Sequence, residues 1–88
     1  MRLDKFLKVS RIIKRRPLAK EIAEKNRIKV NGQVAKPSVN VVEGDEIEIT
    51  FGQTILTVQV KMLKEHVKKE EATMLYEVIK EEKVRHAE

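Results

Sequence analysis

The chain has 88 residues, enough for one small domain and too few for a deep catalytic pocket on its own scaffold. Hydrophobic residues make up 41% and charged residues 38%, so there is material for one core under a largely ionised, water-compatible surface; with no cysteine, disulfide and thiolate-metal chemistry are excluded. The net charge of +5 is unevenly spread: residues 1–36 carry twelve Lys/Arg against three acids, and residues 37–88 carry seven against eleven. That polarity predicts a polyanion docked at the amino-terminal part in a fixed orientation.

Leu3, Phe6 and Leu7 recur at i, i+3 and i+4, which predicts a short amphipathic helix with Arg2, Lys5 and Lys8 on its polar face. Asp4 sits in its first turn, where a carboxylate suits the helix dipole. Residues 10–16 break the pattern and read as a connection holding the apolar pair Ile12 and Ile13. Pro17 is at home at a first helical position, and Leu18, Ala19, Ile22 and Ala23 supply the buried face of a second helix, with Asn26 as a left-handed stop.

Ile28, Lys29 and Val30, then Asn31-Gly32, then Gln33, Val34 and Ala35 form a hairpin signal, because Asn-Gly readily takes the two positive φ values of a type I′ turn. Gly44-Asp45 marks another turn. Ile47, Ile49 and Phe51 alternate with polar residues, and Leu56, Val58, Val60 and Met62 repeat with the same period of two, so two further strands are expected. Over residues 68–82, Ala72, Leu75, Tyr76 and Ile79 share one helical stripe, which predicts a carboxy-terminal helix packed on the sheet. The expected class is α+β, as one unit over residues 1–65 and a helical extension over 66–88 packed on it.

Lys14, Arg15 and Arg16 immediately precede Pro17 and so lie at a helix N-terminus, whose N–H groups favour an anion. Arg16, Lys20 and Arg27 are spaced by 4 and 7 residues, which at 100° per residue places them within a sector of about 40°. A stripe of cations suits rows of RNA phosphates, with counterion release as the driving force. Arg2, Lys5, Arg11 and Lys29 widen the candidate footprint. Phe6, Phe51 and Tyr76 are the only aromatics and all fall on apolar stripes, so base stacking is not expected and recognition by shape and phosphate position is. His66 and His86 stand in charged sequence without a second ligand type, and neither a Gly-rich phosphate loop nor a nucleophile elbow is present; no metal, cofactor or enzymatic activity is expected. No apolar run reaches bilayer-spanning length, so no membrane partner is expected and the chain is read as cytoplasmic and monomeric.

The order Met1-Arg2-Leu3-Asp4-Lys5-Phe6-Leu7, Ser10-Arg11, Lys14-Arg15-Arg16, Ala19-Lys20, Ile28-Lys29-Val30-Asn31-Gly32-Gln33, Lys36-Pro37-Ser38 and Gly44-Asp45 resembles an S4-type RNA-binding domain. With the later strand and Leu75-Tyr76-Glu77, the chain is similar to the small ribosome-associated heat-shock S4 proteins, and most similar to their quality-control branch typified by RqcP (YabO). The resemblance implies an αL fold: two N-terminal helices, a small antiparallel sheet and a C-terminal helix. It implies a non-enzymatic factor that binds large-subunit rRNA and P-site peptidyl-tRNA on stalled, split ribosomes and supports alanine tailing with RqcH. By that analogy Arg2 and Arg16 lead the candidates for RNA contact, and Asp4, Asn31 and Gly32 support them; Asp4 either orients a basic neighbour or serves the helix dipole. The second reading is heat-shock-type recycling of blocked large subunits without tail synthesis. Asn26 stands where the family usually has Gly, and Lys8 where the heat-shock relatives often carry an aromatic.

Overall fold

The computed structural model describes residues 1–13, 22, 25, 27–51 and 54–83. Among the described residues, the helix α1 (Leu3–Val9) precedes the strands β1 (Ile28–Val30), β2 (Gln33–Val34), β3 (Glu46–Phe51), β4 (Thr54–Val60) and β5 (Tyr76–Lys83), with a 3₁₀ helix over Lys69–Leu75 leading into β5. The strands form one antiparallel sheet in the order β2-β1-β3-β4-β5. The class is α+β, as the sequence predicts.

Register follows the apolar pattern. Ile28 pairs with Ile49, and Ile49 with Leu56; Val30 pairs with Ile47, and Ile47 with Val58. Directly paired residues share a face, so these rows form the inner face of the sheet. Leu3, Phe6 and Leu7 of α1 are fully buried in the same core with Ile28, Ile47, Ile49 and Val58, and Ile13, Val41 and Leu75 close it. Each such side chain contributes about 1.5–3 kcal/mol on burial. Of the aromatics, Phe6 is core as expected and Tyr76 packs partly buried against it; the side chain of Phe51 lies outside the described residues.

The β1–β2 turn is the one foreseen: Asn31 has φ 51° and Gly32 φ 85°. Gly44, φ 93°, makes the second turn, where Asp45 accepts from the Val42 N–H at 2.9 Å and Gly44 N–H donates to the Val60 carbonyl at 2.8 Å. The expected second helix lies outside the described residues except for Ile22, which is helical and buried, and Lys25, which is an exposed turn residue.

The carboxy-terminal helix expected over residues 68–82 does not form. Ala72 and Leu75 are buried as its stripe requires, but they belong to the 3₁₀ helix, and the chain then extends as β5 with Val78 and Ile79 exposed. The physical reason is the far edge of β4. Its N–H and C=O groups need partners, and β5 satisfies them from Val60↔Tyr76 to Thr54↔Lys83. A bulge beside Thr57/Val58 passes over Ile79, since Val58 pairs with Val78 and Thr57 with Lys80. Within the 66–88 extension, residues Tyr76–Lys83 are therefore a strand of the common sheet where a helix was expected.

Candidate nucleic-acid interface

The first turn of α1 is held from outside the helix. No side chain caps it at Arg2, and instead the Leu3 N–H donates to the Val39 carbonyl at 2.7 Å and the Asp4 N–H to the Pro37 carbonyl at 3.1 Å. Val41 N–H returns a bond to the Met1 carbonyl at 2.8 Å, and the Lys5 N–H meets Asp4 Oδ1 at 2.8 Å. The unpaired N–H groups of a helix start are thus consumed internally. An anion reaching this end of α1 is met by side-chain cations rather than by the backbone.

Arg2 supplies the first of those cations. Its guanidinium forks onto the Asp4 carboxylate, Nε to Oδ1 at 3.3 Å and Nη2 to Oδ2 at 3.3 Å, with the Asp4 side chain 5% exposed and that of Arg2 54% exposed. A buried acceptor under an exposed fork fixes the plane of the guanidinium and leaves its remaining N–H donors on the outer side. Of the two roles open to Asp4, orientation of a basic neighbour is the one this geometry displays.

Lys5, Lys8 and Arg11 line a surface groove with Val9, and Glu65, His66 and Val67 form its opposite wall. Arg11 reaches that position through a left-handed backbone, φ 61°, directly after the buried Ser10, whose hydroxyl donates to the Leu7 carbonyl at 3.3 Å. Lys5 Nζ lies 3.3 Å from Glu65 Oε2. Lys8 belongs to this cluster although the sequence reading kept it only on the polar face of α1, and His66 joins it although nothing in the sequence links residues 8 and 66.

Lys29 is placed elsewhere. It pairs with Glu48, Glu48 with Thr57, and Thr57 with Lys80, a row on the face of the sheet opposite the core and α1. Its ammonium is 3.9 Å from Glu48 Oε2. Glu46 and Glu77 share that outer face through Gln59, and Glu77 is 3.0 Å from Lys61 Nζ, so the face is mixed and leans acidic. Arg27 is exposed just before β1 and accepts the Thr50 N–H at its carbonyl at 2.9 Å. Lys14, Arg15, Arg16 and Lys20 lie outside the described residues.

The two supporting turn residues tie the hairpin to β3. Asn31 Nδ2 donates to Asp45 Oδ1 at 3.0 Å, its Oδ1 accepts the Glu46 N–H at 2.9 Å, and its own N–H donates to the Glu46 carbonyl at 2.8 Å. Gly32 provides the second positive φ. Among the described residues no group of three or more His, Asp or Glu is placed to hold a metal ion, and no helix is long and apolar enough to cross a membrane.

An amino-terminal helix clasped by a loop, with cations outward and the Asn-Gly hairpin beside it, is matched by sequence as well: residues 1–47 fit the family model of the S4 domain. The chain belongs to the S4 domain family. An S4 relative from Halalkalibacterium halodurans, named RQC P-site tRNA stabilizing factor, is 61% identical over 88 residues, covering 100% of both chains. A Bacillus subtilis relative of the same name is 60% identical over 84 residues, covering 96% of this chain and 98% of its own. Among solved structures, the trimeric heat shock protein 15 of Vibrio cholerae superposes with a TM-score of 0.81 at 34% identity, over 89% of this chain and 80% of that one.

Proposed function

We propose that this S4 protein is a non-enzymatic factor of ribosome-associated quality control. It binds large-subunit rRNA and P-site peptidyl-tRNA on stalled, split ribosomes, and supports alanine tailing of the nascent chain by RqcH. The observation that carries this reading is the 61% identity, over all 88 residues of both chains, to a relative named for stabilising P-site tRNA. The geometry supports it with an exposed Arg2 held in plane by a buried Asp4, and with Lys5, Lys8 and Arg11 gathered along one groove. Such an array neutralises several phosphates at once and reads shape, not sequence. The mixed, acid-leaning outer face of the sheet turns away from RNA, so docking has one sense. In this assignment the protein acts in the cytoplasm as a monomer, alongside RqcH on the same particle.

The test is cosedimentation with large subunits carrying peptidyl-tRNA. Arg2→Ala and Arg16→Ala, singly and together, are expected to lower occupancy, with Arg16→Ala melting near wild type and Arg2→Ala melting lower by the amount that loss of the Arg2–Asp4 pair costs. Deletion in cells is expected to abolish alanine tails on stalled chains. Tails that persist after deletion, with blocked large subunits accumulating, favour instead the recycling role, which the fold likeness to heat shock protein 15 supports.

A further inference from the structure

The groove beside α1 carries its own competitor for RNA. Lys5, Lys8 and Arg11 present three cations along one wall, and His66 adds a ring donor from the other. Yet the ammonium of Lys5 is already engaged, 3.3 Å from Glu65 Oε2. The Lys5 side chain is 35% exposed and that of Glu65 72% exposed, so the carboxylate reaches over from the β4–β5 connection with little burial of its own. The groove stays open to solvent at both Lys8 and Arg11.

A carboxylate and a phosphodiester are alike to an ammonium: each is a monoanion offering two oxygens at hydrogen-bond range. We propose that this groove is a seat for one RNA backbone phosphodiester, and that Glu65 occupies it in the free protein as an intramolecular counter-ion that the phosphate displaces. This rests on the RNA-binding reading above and adds a regulatory element to it. Isolated phosphates and low-density polyanions must first break the Lys5–Glu65 pair, whereas a folded RNA that also engages Arg2 and the remaining cations offsets that cost over the whole footprint. Glu65 thereby lowers affinity by one common factor for every ligand that seats a phosphate in the groove, so weakly held incidental RNA is released while a surface that engages the whole footprint stays bound. The exposed pair is weak enough to be exchanged on each encounter.

The experiment uses the full chain, a short RNA duplex and isolated large ribosomal subunits as probes, with wild type, Glu65→Gln, Lys5→Gln and the double variant. Glu65→Gln is expected to tighten duplex binding by about twofold to fivefold, the range set by loss of an exposed ion pair, and to tighten subunit binding by a similar factor. In the Lys5→Gln background the same change is expected to be nearly silent, because the effect runs through that ammonium. Glu77→Gln on the sheet's outer face, removing the same charge elsewhere, is expected to change little. The proposal is overturned if Glu65→Gln leaves duplex affinity unchanged or weakens it, or if its gain persists undiminished without Lys5, which makes it a general field effect. Failure of the wild type to bind either probe removes the RNA-binding reading itself, a different outcome from wild-type binding that ignores Glu65.

Discussion

Arg2 and Asp4, two residues apart at the start of α1, form a fork in which the acid is buried and the base is not. The acid's environment and the base's orientation are therefore one feature, and substituting either alone should separate them. Asp4→Asn preserves shape and one acceptor oxygen but loses the charge that holds the guanidinium plane. We expect a stability loss of about 1 kcal/mol, since the partner is half in water, seen as a fall in Tm of roughly 4–8 °C for a domain of this size. Large-subunit binding should fall severalfold in Asp4→Asn and more in Arg2→Ala. In the Arg2→Ala background, Asp4→Asn should have no further effect on binding; a full additional loss there would mean that Asp4 acts on RNA binding by another route.

The Asn31-Gly32 turn makes a second prediction, because its two residues contribute different things. Gly32 has open space around a built Cβ but a φ of +85°, so Gly32→Ala introduces backbone strain without a clash. The expected cost is about 1 kcal/mol. Asn31→Gly keeps the positive φ and loses the bonds to Asp45 and Glu46, while Asn31→Ala loses both bonds and backbone compatibility. Chemical denaturation should rank Asn31→Ala as the more damaging of the two, by up to about 1 kcal/mol. Equal midpoints for the two variants would show that the backbone conformation contributes nothing.

Leu75 and Ile79 sit on the same face if residues 68–82 are helical and in unlike environments if they are not. In the structure Leu75 is 1% exposed and Ile79 is 50% exposed, at the bulge of β5. Leu75→Ala should cost about 2–5 kcal/mol, which approaches the whole stability of a domain this small. Ile79→Ala should stay within about 0.5 kcal/mol. Matching losses at the two positions, measured by urea titration, would restore the helix.

That pair also shows where a sequence stops being legible. The turn at Asn31-Gly32 is local chemistry, written in two adjacent residues, and the α1 stripe of Leu3, Phe6 and Leu7 needs only a period to be read. The spacing of Ala72, Leu75, Tyr76 and Ile79 satisfies the helical period just as well, but its conformation is decided by the hydrogen-bonding edge of β4, which no local window contains. The same holds for the interface. Arg2, Lys5 and Arg11 were readable as basic residues near a helix; the fork that orients Arg2 required the helix start to be clasped by residues 37–41. Lys8 and His66 line one groove across a gap in sequence that carries no signal at all. Lys29 looked equivalent to the others by charge and proximity in the chain, and strand alternation puts it on the opposite face, beside Glu48.

The salt dependence of RNA binding tests the footprint as a whole. If about five phosphates are engaged, log Kobs against log salt should have a slope of roughly −3.5 to −4.5, spanning the single-strand and duplex coefficients. Each cation that contacts a phosphate should reduce the steepness by about 1 when neutralised. Arg2→Gln, Lys8→Gln and Arg11→Gln are expected to do so. Lys29→Gln, whose ammonium faces Glu48 across the strand pair, is expected to leave the slope unchanged, because a cation on the far side of the sheet neutralises no phosphate of an RNA bound along α1. Filter binding or anisotropy at four or five salt concentrations measures these slopes directly. A shallower slope in Lys29→Gln equal to that of Arg2→Gln would mean that RNA wraps the sheet edge and that the one-sided footprint is wrong.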